Sequence, residues 1–277
     1  MFNAINKTLL AALGLSLALA SCSDKEREGA AALYSDADAA VKAGNYGGAL
    51  VMLDTLNSRY AGQTEIRKDA LRLRAMAMEG VATDSIAAGS RALAEATVRV
   101  EEWRPKFRHV DSSVGLEGYF LPVGVSEKVM TATGIQPRVS DKGFFYIVAN
   151  VQGKSIGLQS IEFVDGAASV SSSSISPSRI IKVEGSESAS FNPEELEGIG
   201  AWVADHPGTS KIVLRGSKGS ADVKVNDKLR MQIVDCYEYS RALQAQRLAS
   251  LRREKYERML ATARDQIANL PQPESSK

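Results

Sequence analysis

From Lys228 to Leu270 the chain runs 43 residues with neither glycine nor proline, and that absence of breakers restricts the fold more than any other feature. A helix of that length spans about 65 Å at 1.5 Å per residue. Leu229, Ile233, Cys236, Ser240 and Leu243 keep a heptad, as do Tyr256, Leu260, Ala263, Ile267 and Leu270, with the register one residue short between the halves, over Arg252 to Lys255. Helices gain most of their stability by packing an apolar face, so this one requires a partner. One candidate is a second helix over 64–104, closed by Pro105, in which Ile86, Gly89, Leu93, Ala96, Val100 and Trp103 recur at three- and four-residue steps, a series that Phe107 continues beyond the proline. The alternatives are antiparallel pairing of these two segments or self-association through the C-terminal seam.

Proline placement separates the rest. None occurs between Ser23 and Arg104 or between Gly208 and Leu270, whereas five of the eight (Pro122, Pro137, Pro177, Pro193, Pro207) fall between. Helix-compatible arms therefore flank an irregular middle. There, "EGYFLPV", "GFFYIVANVQ", "IGLQSIEFVDG", "AASVSSSSI" and "RIIKVEG" read as short strands between glycine, proline and aspartate turns. Asn192 as cap, Pro193 at the first position, Glu195 reaching back and Phe191 facing Leu196 predict a short helix over 193–205. "KIVLRGSKGSADVKVND" reads as two strands joined at "GSKG". The expected class is α+β: an N-terminal helical hairpin and long helix over 30–108, a β-rich domain over 109–227, and a coiled-coil-like helix over 228–270 packing back on the N-terminal helices. A polar tail, 271–277, follows.

The amino end carries an address. Lys7 precedes thirteen apolar or small residues, Thr8 to Ala20, too few for a spanning helix, which needs roughly 20, but suited to the apolar part of a signal peptide over 1–21. Leu19, Ala20, Ser21 and Cys22 resemble the lipobox of bacterial lipoproteins. That resemblance implies cleavage before Cys22, lipid on its thiol, and a soluble body held to a membrane by acyl chains such as palmitate, each buried methylene contributing about 0.8 kcal/mol. Ser23 stands where an aspartate marks inner-membrane retention in many such proteins, which implies the outer membrane; the side it faces stays open. Residues 22–29, containing "SDKEREG", read as a charged, poorly helical leash.

"AALYSDADAAVKAGNYGGALVMLDTLNSRY", at 31–60, carries two apolar-periodic segments broken at Gly44-Asn45. Gly44, Tyr46, Ala49, Leu53 and the Tyr60-Ala61 end resemble the turn and second helix of a tetratricopeptide pair. The likeness covers about 30 residues, lacks the first helix's usual glycine and has Ala61 for the closing proline. Such arrays need three or more units to bury a continuous core, so one hairpin is the expectation.

Removal of 1–21 takes Lys7 and no acid, leaving 33 basic against 33 acidic residues. A formally neutral chain argues against a general nucleic-acid binder. With Cys22 lipidated, only Cys236 remains, so no internal disulfide forms, and its apolar helical position predicts a buried thiol. His109 and His206 stand apart with no second ligand at metal spacing, and no HExxH, GxSxG or phosphate-loop spacing occurs. No catalytic, metal or cofactor residue is therefore expected. "SVSSSSISPS" offers hydroxyls with no base beside them, and Glu194 and Glu195 are explained by the helix start. Arg241, Arg247, Arg252, Arg253, Lys255, Arg258 and Arg264 read as a solvated face or a contact for an anionic surface. "PEELEGIGAWVADHPGTSKIVLRGS" with the later "YSRAL" is similar in element order to peptidoglycan-binding domains of the outer-membrane-protein-A type, yet Ser217, Lys218 and Gly219 stand where that family's acidic ligand would follow Gly216, so no binding residue carries over. The functional expectation is a membrane-anchored envelope lipoprotein acting as a non-enzymatic binding or assembly module for a protein or envelope polymer. The alternatives are a peptidoglycan- or glycan-binding protein and an envelope hydrolase with a noncanonical site.

Overall fold

A computed structural model describes residues 5–111, 117–128, 130–183 and 185–271, with side chains from residue 24 onward. The chain is α+β, with five α-helices and two antiparallel sheets among the described residues, and it divides into two compact units. The first takes residues 1–91 and 250–277, the second 92–249.

In the first unit, α1 (Ile5–Lys42) and α2 (Tyr46–Arg59) form the expected hairpin. It turns at Gly44, whose φ of 77° is the left-handed conformation that glycine adopts without penalty. The Asn45 side chain then caps α2 by accepting from the Gly48 N–H at 3.1 Å. Ala30, Ala37, Val41, Ala49, Leu53 and Leu56 bury together with Ala70, Leu73 and Ala77 of α3 (Thr64–Trp103). The leash expected over 22–29 is instead part of α1. Lys25, Glu26, Arg27 and Glu28 are good helix formers, and once Ala30 is anchored each preceding residue extends the helix for one further hydrogen bond.

A second face of α3, carrying the fully buried Ala75 and Ala82, meets the last part of α5 (Asp227–Asn269). Arg72 donates to the carbonyls of Ile267 at 2.6 Å and Leu270 at 3.0 Å, satisfying acceptors that the end of a helix leaves open. Arg264 pairs with Glu79 at 2.9 Å. Gly89 lies against the backbone and Cβ of Arg253, and it is this close approach that the glycine allows. The C-terminal helix thus packs back on the N-terminal helices, the intrachain alternative of the two. Its register change, however, is not at Arg252 to Lys255. The covered stripe runs in phase from Ala242 through Gln246, Ala249, Arg253, Tyr256, Leu260 and Ala263 to Ile267, and the change falls at Tyr239–Leu243. Arg253 occupies a seam position because its aliphatic stem can cover apolar surface while its charged end reaches Glu257 at 3.1 Å.

In the second unit, β1 (Phe107–Val110), β2 (Tyr119–Pro122), β3 (Gly134–Ser140), β4 (Phe145–Gln152), β7 (Ile181–Val183) and β8 (Ser186–Phe191) form one sheet in the order β1-β2-β3-β4-β8-β7. The other sheet has the order β10-β9-β5-β6, built from β5 (Leu158–Asp165), β6 (Ala168–Ser171), β9 (Lys211–Gly216) and β10 (Gly219–Lys224). One core joins them: Ile147, Ala149 and Phe191 from the first, Ile161, Phe163, Ile212 and Leu214 from the second, Val100 of α3, and Ile233, Cys236 and Tyr239 of α5. Burial raises the Cys236 thiol well above its usual range, with nearby Asp235 adding to the effect, so it remains an inert protonated hydrophobe. The expected helix over 193–205 begins only at α4 (Ile199–Asp205). The Asn192 N–H does donate to Glu195 at 2.8 Å, but Gly198, at φ 75°, breaks the turn that this bond closes. The β-rich domain also begins earlier than 109, at Phe107.

Glu187 is fully buried. Its carboxylate accepts from the Ser155 hydroxyl at 2.8 Å and from the backbone N–H groups of Ile156 at 2.9 Å, Leu158 at 3.1 Å and Gly157 at 3.2 Å. Burial by itself raises its pKa, but these four donors outweigh burial and the net shift is downward. The segment from β4 to β5 is thereby held to β8.

Two experiments follow from this packing. A Cβ at Gly80 would run into the Tyr46 ring, whereas one at Gly47 meets nothing within 4 Å. Gly80→Ala is expected to lower stability by about 1–3 kcal/mol, and Gly47→Ala to raise it by up to about 1 kcal/mol, as measured by urea unfolding. Glu187, with its pKa below the ordinary 4.5, contributes stability that is complete above that value and is lost as pH falls through the depressed one. Thermal midpoints from pH 3 to 7 should therefore drop below about pH 4.5, less steeply in Glu187→Gln, which should itself be about 1–3 kcal/mol less stable at pH 7.

Candidate functional site

Antiparallel sheets can bury one face and leave the other to water, and the six-stranded sheet does so only in part. Gln136 and Asn150, although polar, are buried on its outer face beneath the segment that follows β2. Gln136 donates to the Ser126 carbonyl at 2.7 Å and Asn150 to the Ala132 carbonyl at 2.9 Å. At the end of the sheet where β3 and β8 finish and β4 begins, the face is open. An exposed groove of about 710 Å³ lies there, lined by Glu117 and Gly118, by Ser140, Lys142, Phe144 and Tyr146, and by Ser190, Asn192, Pro193 and Glu194.

The turn between β3 and β4 builds one wall. Gly143 adopts φ 80° and its N–H returns to the Ser140 carbonyl at 2.7 Å, closing Ser140-Asp141-Lys142-Gly143. From behind, Ser240 of α5 clamps this turn: its hydroxyl donates to the Gly143 carbonyl at 2.8 Å and accepts from the Phe145 N–H at 3.1 Å. Gln244 adds a bond to the Lys142 carbonyl at 2.7 Å. A Cβ at Gly143 would press on Leu243 at 2.8 Å, so glycine is needed there for both its conformation and the close helix approach.

On this support Phe144 points outward, 40% exposed, with its N–H held by the Ser140 hydroxyl at 3.2 Å. Lys142 pairs with Glu117 at 3.1 Å, and its N–H reaches the other oxygen of the same carboxylate at 3.1 Å. Tyr146 stands across from Arg138 in the β3–β4 ladder. Burial raises its phenol above the usual range and Arg138 offsets only part of the effect, so the group is a protonated hydroxyl at neutral pH. The Arg138 guanidinium in turn lies 4.2 Å over the Tyr119 ring and donates to Gln136 at 2.6 Å. The groove thus combines one outward aromatic ring, a phenol, short hydroxyl and amide side chains, and a preformed ion pair.

Residues singled out by sequence fall elsewhere. The side chains of Leu19, Ala20, Ser21 and Cys22 lie outside those described. The Nε2 of His109 lies 2.6 Å from Asp141, and its Nδ1 lies 3.0 Å from Asp111; His206 stacks on Trp202 at 3.9 Å and engages the Trp202 carbonyl at 2.8 Å. Among the described residues, no group of His, Cys, Asp and Glu is placed to hold a metal ion. The serine run is the edge strand β6 and its loop, and "GSKG" is the tip of the β9–β10 hairpin. Of the arginine stripe, Arg241 pairs with Glu238, Arg253 with Glu257 and Arg264 with Glu79. Of the residues weighed for chemistry in the sequence, Glu194 lines the groove, beside Asn192 and Pro193 of the expected helix start. The signal that could have found the rest was the "SDKGFFY" turn, in which an exposed phenylalanine precedes a buried one.

If Phe144 is presented rather than packed, Phe144→Ala should alter unfolding free energy by less than about 0.5 kcal/mol, whereas Ser240→Ala, which strands the Phe145 N–H, should cost about 1–3 kcal/mol; urea titrations of both variants check this contrast. No protein-family model, curated protein or solved structure matches this chain, so its residues and their geometry carry the functional reading.

Proposed function

We propose that this protein is a lipid-anchored lipoprotein of the bacterial outer membrane that binds another envelope component without catalysing a reaction, and that the groove at the end of the six-stranded sheet is its contact surface. The placement draws on the lipobox Leu19-Ala20-Ser21-Cys22 after a short apolar run. Two acyl chains on such a cysteine anchor a body with no spanning segment, and none of the described helices is long and apolar enough to cross a membrane.

The single observation that carries the binding role is the groove's construction. An exposed aromatic residue stands on a turn whose backbone Ser240 and Gln244 fix from behind, and a preorganised turn of this kind loses little backbone freedom when it engages a partner. Hydrolysis by a serine would require a base free to take its proton. Both nitrogens of His109 are engaged by Asp111 and Asp141, and among the described residues neither His109 nor His206 is hydrogen-bonded to a serine hydroxyl, which favours binding over catalysis.

Replacing Cys22 with serine should move the protein from the membrane to the soluble fraction in cell fractionation; unchanged membrane association would refute the anchor. Separately, a photoreactive residue placed at position 144 in cells should give discrete adducts that are absent when it is placed at exposed Val183.

A further inference from the structure

We infer that the groove takes a saccharide chain, neutral or amine-bearing, and this rests on the reading of the protein as a binding module. Phe144 offers a solvent-accessible apolar ring on a backbone whose N–H is held by the Ser140 hydroxyl. Such a face packs against the C–H side of a pyranose ring, where the ring's negative quadrupole meets polarised hydrogens. Around it the lining is short and polar. Ser190 and the Tyr146 phenol can donate and accept, Asn192 does both through its amide, Glu117 and Glu194 accept, and Lys142 donates. That alternation of donors and acceptors beside one aromatic plane matches a ligand with hydroxyl groups on its edges and hydrocarbon on its faces. An apolar peptide side chain would leave most of these groups without partners, at a cost for each.

Charge narrows the class. Two carboxylates face one ammonium in the lining, so the local field disfavours sulfated or phosphorylated polymers and favours uncharged or amine-bearing sugars. Shape narrows it further: the groove is open to solvent, whereas pockets for small molecules enclose most of the ligand surface. An open trough with a ring on one wall suits a chain whose ends continue beyond it.

The test titrates the full-length lipidated protein in detergent micelles with chitotetraose, its fully deacetylated counterpart, cellotetraose and dextran sulfate, by calorimetry and saturation-transfer NMR. Saturable binding to at least one of the three uncharged or amine-bearing tetrasaccharides is expected, without binding to dextran sulfate. The affinity should fall about tenfold or more in Phe144→Ala and in Tyr146→Ala, and less in Tyr146→Phe. Val183→Ser, at the far end of β7, should leave it unchanged, and melting temperatures of all variants confirm folding. Absence of binding to all three up to millimolar concentration, binding that survives both alanine variants, or preference for dextran sulfate would each overturn the inference. A protein adduct captured at position 144 in cells, with no saccharide binding, would overturn it while leaving the binding module intact; no adduct and no saccharide binding would remove both.

Discussion

The burial of one stripe along α5 is the constraint on which the rest of the structure depends. A helix of 43 residues with polar surface on every side would fray in water, because intrinsic propensity adds too little per residue. Here the first part of the stripe, through Ile233, Cys236 and Tyr239, belongs to the β-rich core, and the later part lies along α3. The change of phase at Tyr239–Leu243 is therefore not a defect. An α-helix drifts against a strict seven-residue repeat, and here the drift is taken up in a single step. Tyr239 and Ser240 are both buried there, Tyr239 stacked on Phe107 at 4.5 Å and Ser240 turned to the β3–β4 turn. One side chain thus completes the core while its neighbour positions the groove.

Small residues determine how closely the helices approach. Ala75, Ala77 and Ala82 of α3 are fully buried, and with Gly80 and Gly89 they leave that helix little bulk on either covered face. Its neighbours supply the bulk instead, as the Tyr46 ring does over Gly80. A helix wedged between two others benefits from such residues, since close backbone approach increases dispersion contacts without the loss of side-chain entropy that longer residues incur. The same economy makes α3 sensitive to added methyl groups at positions that look unremarkable in the sequence.

The sequence made the long elements legible and hid those that depend on a neighbour. The C-terminal helix and the stripe from Ile86 to Phe107 were readable because their periodicity is local, and β4, β5, β9 and β10 because their alternation and turns are. β3 was hidden by Pro137, which the sheet tolerates because β2 pairs only with Val139 and Ser140, leaving β3 a single neighbour at the proline. β8, "SESASF", has too little apolar character to read as a strand; its buried Glu187 is stabilised by donors from 155–158, which no local pattern predicts. The seam positions Ala242, Gln246, Ala249 and Arg253 were invisible as a stripe because none is a large hydrophobe. Gln246 earns its place by donating to Thr97 at 3.0 Å. The groove was illegible for a topological reason: its walls come from 117–118, 140–146 and 190–194, and the last of these reaches the others only because β8 inserts beside β4.

That insertion also explains why the groove lies where it does. With β4 and β8 adjacent and antiparallel, the end of one strand lies beside the start of the other: Phe191, the last residue of β8, stands opposite Ile147, the third residue of β4. The turns at 140–144 and 192–194 therefore project from the same end of the sheet. The inner face beneath them is occupied by Phe191, Ile147 and Phe145, and a close-packed core of this kind resists deformation. Exposed Phe144 and buried Phe145 then follow from strand geometry, since successive side chains leave a strand on opposite faces. A single dipeptide thus anchors the turn to the core and presents an aromatic ring to solvent, so the groove's shape is tied to the stability of the fold while its chemistry is carried by residues the fold does not require.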